Sequence, residues 1–130
     1  MYVANIMSTV IITAAPWVPA GRLVELLVDE NIGAIPILDE NAVPVGVVTR
    51  ADLLEEDELD LAQEATAFDL MRRPPLCVAP TTDIAEAARL MARHHVHHLL
   101  VVDIDGHLIG LLSSFDVVKW VADARVLHPH

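Results

Sequence analysis

The hydrophobic and polar positions of the chain predict the same order of elements twice: a strand, a helix, two strands and a second helix. In the first copy, apolar residues of segment 20–31 recur with a period close to that of an amphipathic helix. Runs of β-branched and apolar residues predict strands at 9–13, 34–38 and 43–48. A further helix is predicted from residue 50 to about residue 58. The pattern therefore predicts a mixed α/β fold.

Local signals set the expected boundaries in this first copy. Gly33 follows the helix at the position of a C-capping glycine. The polar residues Asp39, Glu40 and Asn41 form a turn between the two later strands. We also expect Met1–Ser8 to be a short lead-in that packs against its own repeat.

The second copy follows the same course. Val78 closes its first strand, and Thr82 or Asp83 caps a helix, with Glu86 as the capping-box partner. The remaining predicted elements are strands at 99–103 and 107–112 around a hairpin turn at Asp105-Gly106, a helix at 115–124 and a frayed tail at 125–130.

A shift of 64 residues aligns the two copies without a gap. The identical pairs are Met7 with Met71, Ala15-Pro16 with Ala79-Pro80, Leu26 with Leu90, Asp39 with Asp103, Gly46 with Gly110, and Asp52 with Asp116. Such self-similarity indicates tandem copies of one unit, neither of which buries its apolar face alone. We therefore expect one two-lobed domain, composed of repeat 1 at 1–60 ending in a solvated acidic run at 55–60, a linker at 61–66, repeat 2 at 67–126 and a tail at 127–130.

The candidate chemistry lies in two heptapeptides that this shift superimposes, Gly46–Asp52 and Gly110–Asp116. Each contains a glycine, two apolar residues, a hydroxyl residue, two variable positions and an aspartate. One copy alone is explained by a capping box, in which Thr49 or Ser113 accepts a hydrogen bond from the first helical turn. The same residues suit a ligand, because a helix N-terminus attracts phosphate and an ionised carboxylate can hold a diol. Duplication in register favours the ligand.

Composition and charge exclude several classes of function. The net charge of -11 argues against nucleic acid, because contacts to phosphate depend on lysine and arginine. No apolar run is long enough to span a bilayer and no basic segment precedes one, so we expect no membrane segment, no signal peptide and a cytoplasmic location. The single cysteine, Cys77, excludes an internal disulfide and should be buried in a strand. No nucleophile constellation, Walker loop or paired carboxylate indicates an enzyme.

All seven histidines lie in the second half of the chain, so an anionic ligand should prefer a wall formed by the second repeat. Five residues, His94-His95-Val96-His97-His98, contain four of them. They allow three interpretations: surface or interface residues, phosphate contacts, or a metal site. The metal is the least favoured, because the matching Gly33 predicts that the helix stops near His97 and no carboxylate or thiolate is close in sequence.

On these features the chain resembles a tandem pair of cystathionine-β-synthase (CBS) domains, or Bateman module, over about residues 3–124. The resemblance rests on Met7 and Met71, Pro16 and Pro80, the strands Ile35–Asp39 and Leu99–Asp103, and both Gly-x-x-Thr/Ser-x-x-Asp stretches. It implies an α/β fold of two β-α-β-β-α repeats related by a pseudo-twofold axis, and a regulatory module rather than an enzyme. It also implies an adenosine-containing ligand, AMP, ADP, ATP or S-adenosylmethionine, in clefts between the repeats, with no further cofactor.

The resemblance implies a role for each cleft residue. The family's aspartate holds the ribose hydroxyls, its Thr or Ser contacts phosphate, residues before the second strand of the opposite repeat line the adenine, and the first strands supply apolar walls. By position, cleft 1 combines Thr49, Arg50, Asp52, Leu76, Val96, His97 and His98, and cleft 2 combines Ile12, Ile32, Gly33, Ala34, Ser113 and Asp116.

We expect the two clefts to differ. Arg50 and the histidines suit phosphate in cleft 1, whereas cleft 2 has Ser114 and Phe115 at the equivalent places and no cation. A phosphorylated nucleotide should therefore bind more tightly at Asp52 than at Asp116.

The favoured function is a stand-alone regulatory module that signals through the conformation of a homodimer or of an unidentified effector protein. The resemblance implies dimerisation through the helices after the glycine motifs, with exposed Val117, Val118, Trp120 and Val121. Two alternatives stay open: a structural module that dimerises without a ligand, and, less favoured, a metal-binding module built on the histidine cluster.

Overall fold

A computed structural model describes residues 1–54 and 64–127. The acidic run at 55–60, the first part of the predicted linker and the last three residues lie outside the described residues. The chain divides into two units. The first unit comprises Ile12–Pro75, and the second comprises Met1–Ile11 together with Leu76–His130.

This division shows that the lead-in does not pack against its own repeat, so that prediction was wrong. Val3 is fully buried in the core of the second unit, beside Val78 and Leu99. Conversely, Met71, in the lead-in of the second copy, lies in the core of the first unit. Each lead-in therefore covers the apolar surface of the other copy. The repeat boundaries drawn from the sequence stay a prediction.

The first unit contains an antiparallel pair of strands covered by helices. Its elements are α1 (Ala20–Asp29), β1 (Ala34–Leu38), β2 (Pro44–Thr49), α2 (Arg50–Leu54) and α3 (Ala67–Leu70). Ala34 pairs with Thr49, and a bulge interrupts the ladder between Ile37 and Leu38. The buried core consists of Leu23, Leu27, Ile35, Ile37, Val48, Leu53, Ala67 and Met71.

Two expectations for this unit were wrong. Segment 9–13 is not a strand, because only the following residue, Ala14, bonds to β1, through a single parallel bridge to Ile37. Val10 is 89% exposed, so its β-branched side chain covers no apolar surface. Gly33 does not cap α1 either. The helix ends four residues earlier, and Asn31 adopts the left-handed backbone conformation at φ 50°.

The second unit repeats the arrangement with one more strand. Its elements are a 3-10 helix (Val3–Asn5), β3 (Cys77–Val78), α4 (Ile84–His94), β4 (His98–Val102), β5 (Leu108–Ser113) and α5 (Ser114–Leu127). β3 is parallel to β4, and β4 is antiparallel to β5. The buried core consists of Val3, Val78, Ala87, Met91, Leu99, Val101 and Leu112.

The caps of α4 follow the prediction in part. Asp83 is the N-cap and accepts a hydrogen bond of 2.8 Å from the backbone N–H of Ala85. Glu86 pairs instead with Arg89, at 3.3 Å. At the other end, the helix stops at His94, before the expected His97, because His95 adopts the left-handed conformation at φ 54°.

Several surface predictions also need correction. Helix α5 continues to Leu127, past the predicted end at Ala124 and into the segment predicted as a frayed tail. Val118 and Val121 on this helix are exposed, whereas Val117 and Trp120 are half-buried. Cys77 lies in a strand as predicted but is exposed. Within residues 1–54 and 64–127, no helix combines the length and hydrophobicity needed to cross a membrane.

Candidate functional site

The residues predicted for each cleft come from both units, so each half is described within its own unit. The first unit contributes Ile12, Ile32, Gly33, Ala34, Thr49, Arg50 and Asp52, and the second contributes Leu76, Val96, His97, His98, Ser113 and Asp116. In both units, the hydroxyl residue of the aspartate motif pairs with the first residue of the preceding strand in the same unit. Ala34 pairs with Thr49 in the first unit, and His98 pairs with Ser113 in the second.

Asp52 has an unusual environment at the start of α2. The Oγ1 atom of Thr49 accepts a hydrogen bond of 3.1 Å from the backbone N–H of Asp52, which forms half of a capping box. The Oδ1 atom of Asp52 accepts a hydrogen bond of 2.7 Å from Nε of Arg72. Its Oδ2 atom is buried and has no hydrogen-bond partner among the residues that the structure describes. The carboxylate thus retains one oxygen for a further donor.

Arg50 does not point its charge at this carboxylate. Its Nη2 atom donates to the carbonyl oxygens of Leu27 and Ile32, at 2.7 and 3.2 Å. The guanidinium therefore satisfies one carbonyl in the last turn of α1, where a cation is favoured by the helix dipole, and one in the loop that follows. The cation beside Asp52 is Arg72, which the sequence interpretation missed. The alignment of the repeats contained one signal, since Arg72 follows Met71 at the position that Ser8 occupies after Met7.

Asp116 is engaged by its own motif. The Oδ2 atom of Asp116 accepts a hydrogen bond of 2.9 Å from the backbone N–H of Ser113. In return, Oγ of Ser113 accepts one of 3.1 Å from the backbone N–H of Asp116. This reciprocal capping box explains the serine and the aspartate at the start of α5 without a ligand. The capping interpretation therefore applies most fully to the second copy.

The glycine at the start of each motif is required for close packing. A Cβ atom on Gly46 would lie 2.5 Å from Sδ of Met71 and 2.9 Å from the carbonyl oxygen of Arg72. On Gly110, a Cβ atom would overlap the Sδ atom of Met7. The two glycines thus allow the lead-in segments to approach β2 and β5, and in the first unit this approach brings Arg72 to Asp52.

The histidines lie at the end of α4 and the start of β4. His97 accepts a hydrogen bond of 2.8 Å at its carbonyl from the backbone N–H of Ser114, and its Nδ1 atom lies 3.4 Å from Oγ of the same serine. Burial, with a smaller contribution from the charge of His97, lowers the pKa of His98, while the Asp116 carboxylate opposes this shift. Burial therefore disfavours the charged form of His98, which makes it a poor cation for phosphate.

One group of potential metal ligands occurs among residues 1–54 and 64–127. Ligand atoms of Asp103, Asp105 and His107 lie within 4.8 Å of one another in the turn between β4 and β5. However, Oδ1 of Asp103 accepts hydrogen bonds from the backbone N–H groups of Asp105 and His107, both at 2.9 Å. The equivalent Asp39 makes the same two bonds to Asn41 and Val43. The conformation of the turn is thus explained without an ion. The histidines of the predicted cluster form no such group.

Comparison with known proteins identifies the family. A family model described as CBS domain matches residues 3–58 and 67–123. The chain is 32% identical over 123 residues to the CBS domain-containing protein CBSX2, chloroplastic, of Arabidopsis thaliana. This alignment covers 73% of this chain and 52% of that protein. It is 28% identical over 111 residues to the uncharacterized protein MK0525 of Methanopyrus kandleri, covering 84% of this chain and 57% of the relative. The chain spans about half the length of these two curated relatives.

Solved structures agree with the sequence comparison. The crystal structure of CBSX2 in complex with AMP superposes with a TM-score of 0.85 at 32% identity, covering 95% of this chain and 98% of that chain. The CBS domain pair of protein MJ0100, solved in complex with 5′-methylthioadenosine and S-adenosyl-L-methionine, gives a TM-score of 0.85 at 25% identity, with the same coverage. Together with the duplicated motif and the two units, these matches show that the chain belongs to the CBS domain family and contains two copies of that domain in tandem.

Proposed function

We propose that this chain is a regulatory module that binds an adenosine-containing ligand through Asp52 and Asp116. The observation that carries the proposal is the environment of Asp52. Its side chain is only 12% exposed, and its Oδ2 atom is buried without a partner among the described residues. An unpaired buried oxygen is costly, which favours a bound group that donates a hydrogen bond there. A ribose supplies two hydroxyl donors.

The ligands of the related structures support the choice of adenosine. AMP in CBSX2, and 5′-methylthioadenosine and S-adenosylmethionine in MJ0100, share the adenine and the ribose diol and differ only at the 5′ carbon. A carboxylate that accepts hydrogen bonds from the diol would recognise the shared part. The group at the 5′ carbon, which is charged in AMP and in S-adenosylmethionine, would then be recognised by other residues.

We assign the remaining residues by position within the two halves. Thr49 and Ser113 would lie near the 5′ group. The adenine would be lined by residues at the starts of β1 and β4, namely Ile32, Gly33, Ala34, Val96, His97 and His98. The apolar walls would be formed by Ile12 and Leu76. Arg50, which binds the backbone carbonyls of Leu27 and Ile32, would shape cleft 1 without contacting phosphate.

The test is a calorimetric titration of the chain with AMP, ADP, ATP and S-adenosylmethionine, repeated for Asp52→Ala and Asp116→Ala. Asp105→Ala is the matched control, because Asp105 is an exposed aspartate in a turn. A charge-assisted hydrogen bond contributes about 1.5–3 kcal/mol, so each site variant should lose about tenfold or more in affinity at its own site.

Thermal denaturation provides an independent measurement. A ligand at about 100 times its dissociation constant should add about 2.7 kcal/mol to the stability of the chain. If none of the four ligands binds, or if both site variants bind as well as Asp105→Ala, the proposal is wrong. The structural-module alternative then gains support. The capping box between Ser113 and Asp116 is compatible with that alternative, because it uses the motif without a ligand.

Signalling requires that the ligand bind two conformations with different affinity. We propose that the responding element is a homodimer or an effector protein that contacts α5, where Phe115, Val118 and Val121 are exposed. A cytoplasmic location is part of the same proposal, although the relative CBSX2 is described as chloroplastic.

A further inference from the structure

We propose that Arg72 makes the Asp52 site selective for nucleosides that carry a phosphate on the 5′ carbon. The inference rests on the proposed function, because it concerns the same site. Arg72 pairs with the carboxylate when no phosphate is present, and it exchanges this partner for the phosphate of a nucleotide. An uncharged nucleoside offers no such exchange and binds less tightly.

The exposed fractions of the two side chains determine which of them moves. The Asp52 side chain is 12% exposed, whereas the Arg72 side chain is 57% exposed. An exposed ion pair contributes little to stability, so separating it costs little. Arg72 holds Oδ1 of Asp52, and the unpartnered Oδ2 is buried, so a ribose hydroxyl reaches either oxygen only when Arg72 moves away. Arg72 is therefore the movable cover of the site.

The guanidinium of Arg72 has donors to spare for a phosphate. The ion pair with Asp52 uses Nε, while the guanidinium group as a whole presents five N–H donors in a planar fork. This fork fits two oxygens of a phosphate, and such bidentate pairs are stronger than a single hydrogen bond. The phosphate oxygens thus replace the carboxylate oxygen of Asp52 as the partner of Arg72, and that carboxylate oxygen then binds the ribose.

The neighbouring arginines are occupied elsewhere. Arg50 donates to the carbonyl oxygens of Leu27 and Ile32. The guanidinium of Arg73 lies over the ring of Phe68, 4.3 Å from its centroid. Among the described residues of the first unit, Arg72 is the cation in contact with Asp52.

The second unit provides an internal comparison in which the arginine is replaced. Arg72 exchanges two backbone hydrogen bonds with Val47, of 2.9 and 3.1 Å. Ser8 makes the equivalent pair with Leu111, both at 2.9 Å, so the backbone pairing is equivalent while the side chain differs. The hydroxyl of Ser8 donates to the carbonyl of Val10. The Asp116 half thus lacks the cation that the Asp52 half contains.

The experiment compares adenosine with AMP in a chain whose second site is disabled. In the Asp116→Ala background, both ligands are titrated against the parent, Arg72→Ser and Arg73→Ser. Arg72→Ser should lower the affinity for AMP about tenfold and leave the affinity for adenosine unchanged or raise it up to about fivefold. Arg73→Ser removes the same charge one residue away and should leave the ratio of the two affinities unchanged.

A reciprocal variant tests the same inference from the other side. In the Asp52→Ala background, Ser8→Arg should give the Asp116 site a preference for AMP over adenosine of about tenfold. Circular dichroism and the melting temperature identify a variant that fails to fold. If the Arg72→Ser variant does not fold, the Ser8→Arg variant tests the inference in its place, because Ser8 is exposed.

The outcomes separate the two proposals. If the parent binds neither ligand, this inference is wrong, and the titration of the unaltered chain with the four ligands decides the proposed function separately. If the parent binds AMP but Arg72→Ser and Arg73→Ser have the same ratio of affinities, the proposed function stands and Arg72 is only a structural ion pair. A lower ratio in Arg72→Ser alone supports the selective role.

Discussion

Val3→Ala tests whether the N-terminal lead-in belongs to the second unit. Val3 is completely buried, and the core around it includes Val78, Ala87 and Leu99. The substitution removes two carbon atoms, which costs about 1.6 kcal/mol in transfer free energy at about 0.8 kcal/mol each. The unfilled cavity adds to this cost, so we expect a loss of about 2–3 kcal/mol in the free energy of unfolding.

The control is Val10→Ala, which removes the same atoms from a side chain that is 89% exposed. It should change the free energy of unfolding by less than about 0.5 kcal/mol. Urea denaturation gives both values. Because the lead-in could affect either unit, hydrogen exchange should be measured as well: Val3→Ala should accelerate exchange in β4 and β5 more than in β1 and β2.

Two results would refute the reasoning. The first is an equal loss of stability in Val3→Ala and Val10→Ala, which would mean that Val3 contributes no buried packing. The second is faster exchange confined to β1 and β2. In that case, the lead-in would pack against its own repeat, as the sequence suggested.

Three further predictions concern packing, pH and assembly. Gly46→Ala should destabilise the chain by about 1–3 kcal/mol, because its Cβ would overlap Met71, whereas Gly21→Ala, with no atom within 4 Å, should be neutral or stabilising by about 1 kcal/mol in thermal denaturation. Burial lowers the pKa of His98 below its unfolded value of 6.5, so folding disfavours its protonation, and stability should fall as pH drops below about 6.5. His98→Gln should flatten this dependence in urea titrations; an unchanged slope would contradict it. Val118→Asp should produce monomers in light scattering if α5 forms a homodimer, and an unchanged mass would exclude that interface.

The pattern of the sequence determined the local elements well where neighbouring residues decide the structure. Strand β1 has the predicted bounds, Ala34–Leu38, and α1 begins at the predicted Ala20. The reason is that the period of apolar residues distinguishes a helix from a strand. The repeat and its aspartate motif also identified the family, because that information is contained in the order of the residues.

The predictions failed where the local sequence allows more than one backbone structure. A left-handed residue was expected after α1 at Gly33, but Asn31 provides it two residues earlier. The run at 9–13 has the composition of a strand, yet it forms none, because no strand in the described part of the chain pairs with it. Composition indicates what a segment can form, whereas the partner decides what it forms.

By itself, the sequence determined the two copies, most of their helices and strands, and the duplicated aspartates. Only the tertiary structure decided that each lead-in covers the opposite copy, that Arg50 binds a carbonyl of α1, and that Arg72 meets Asp52 across 20 residues of chain. Hydrophobic periodicity marks a face as apolar without specifying which surface covers it, and a charge reveals its partner only when the backbone brings the two side chains together.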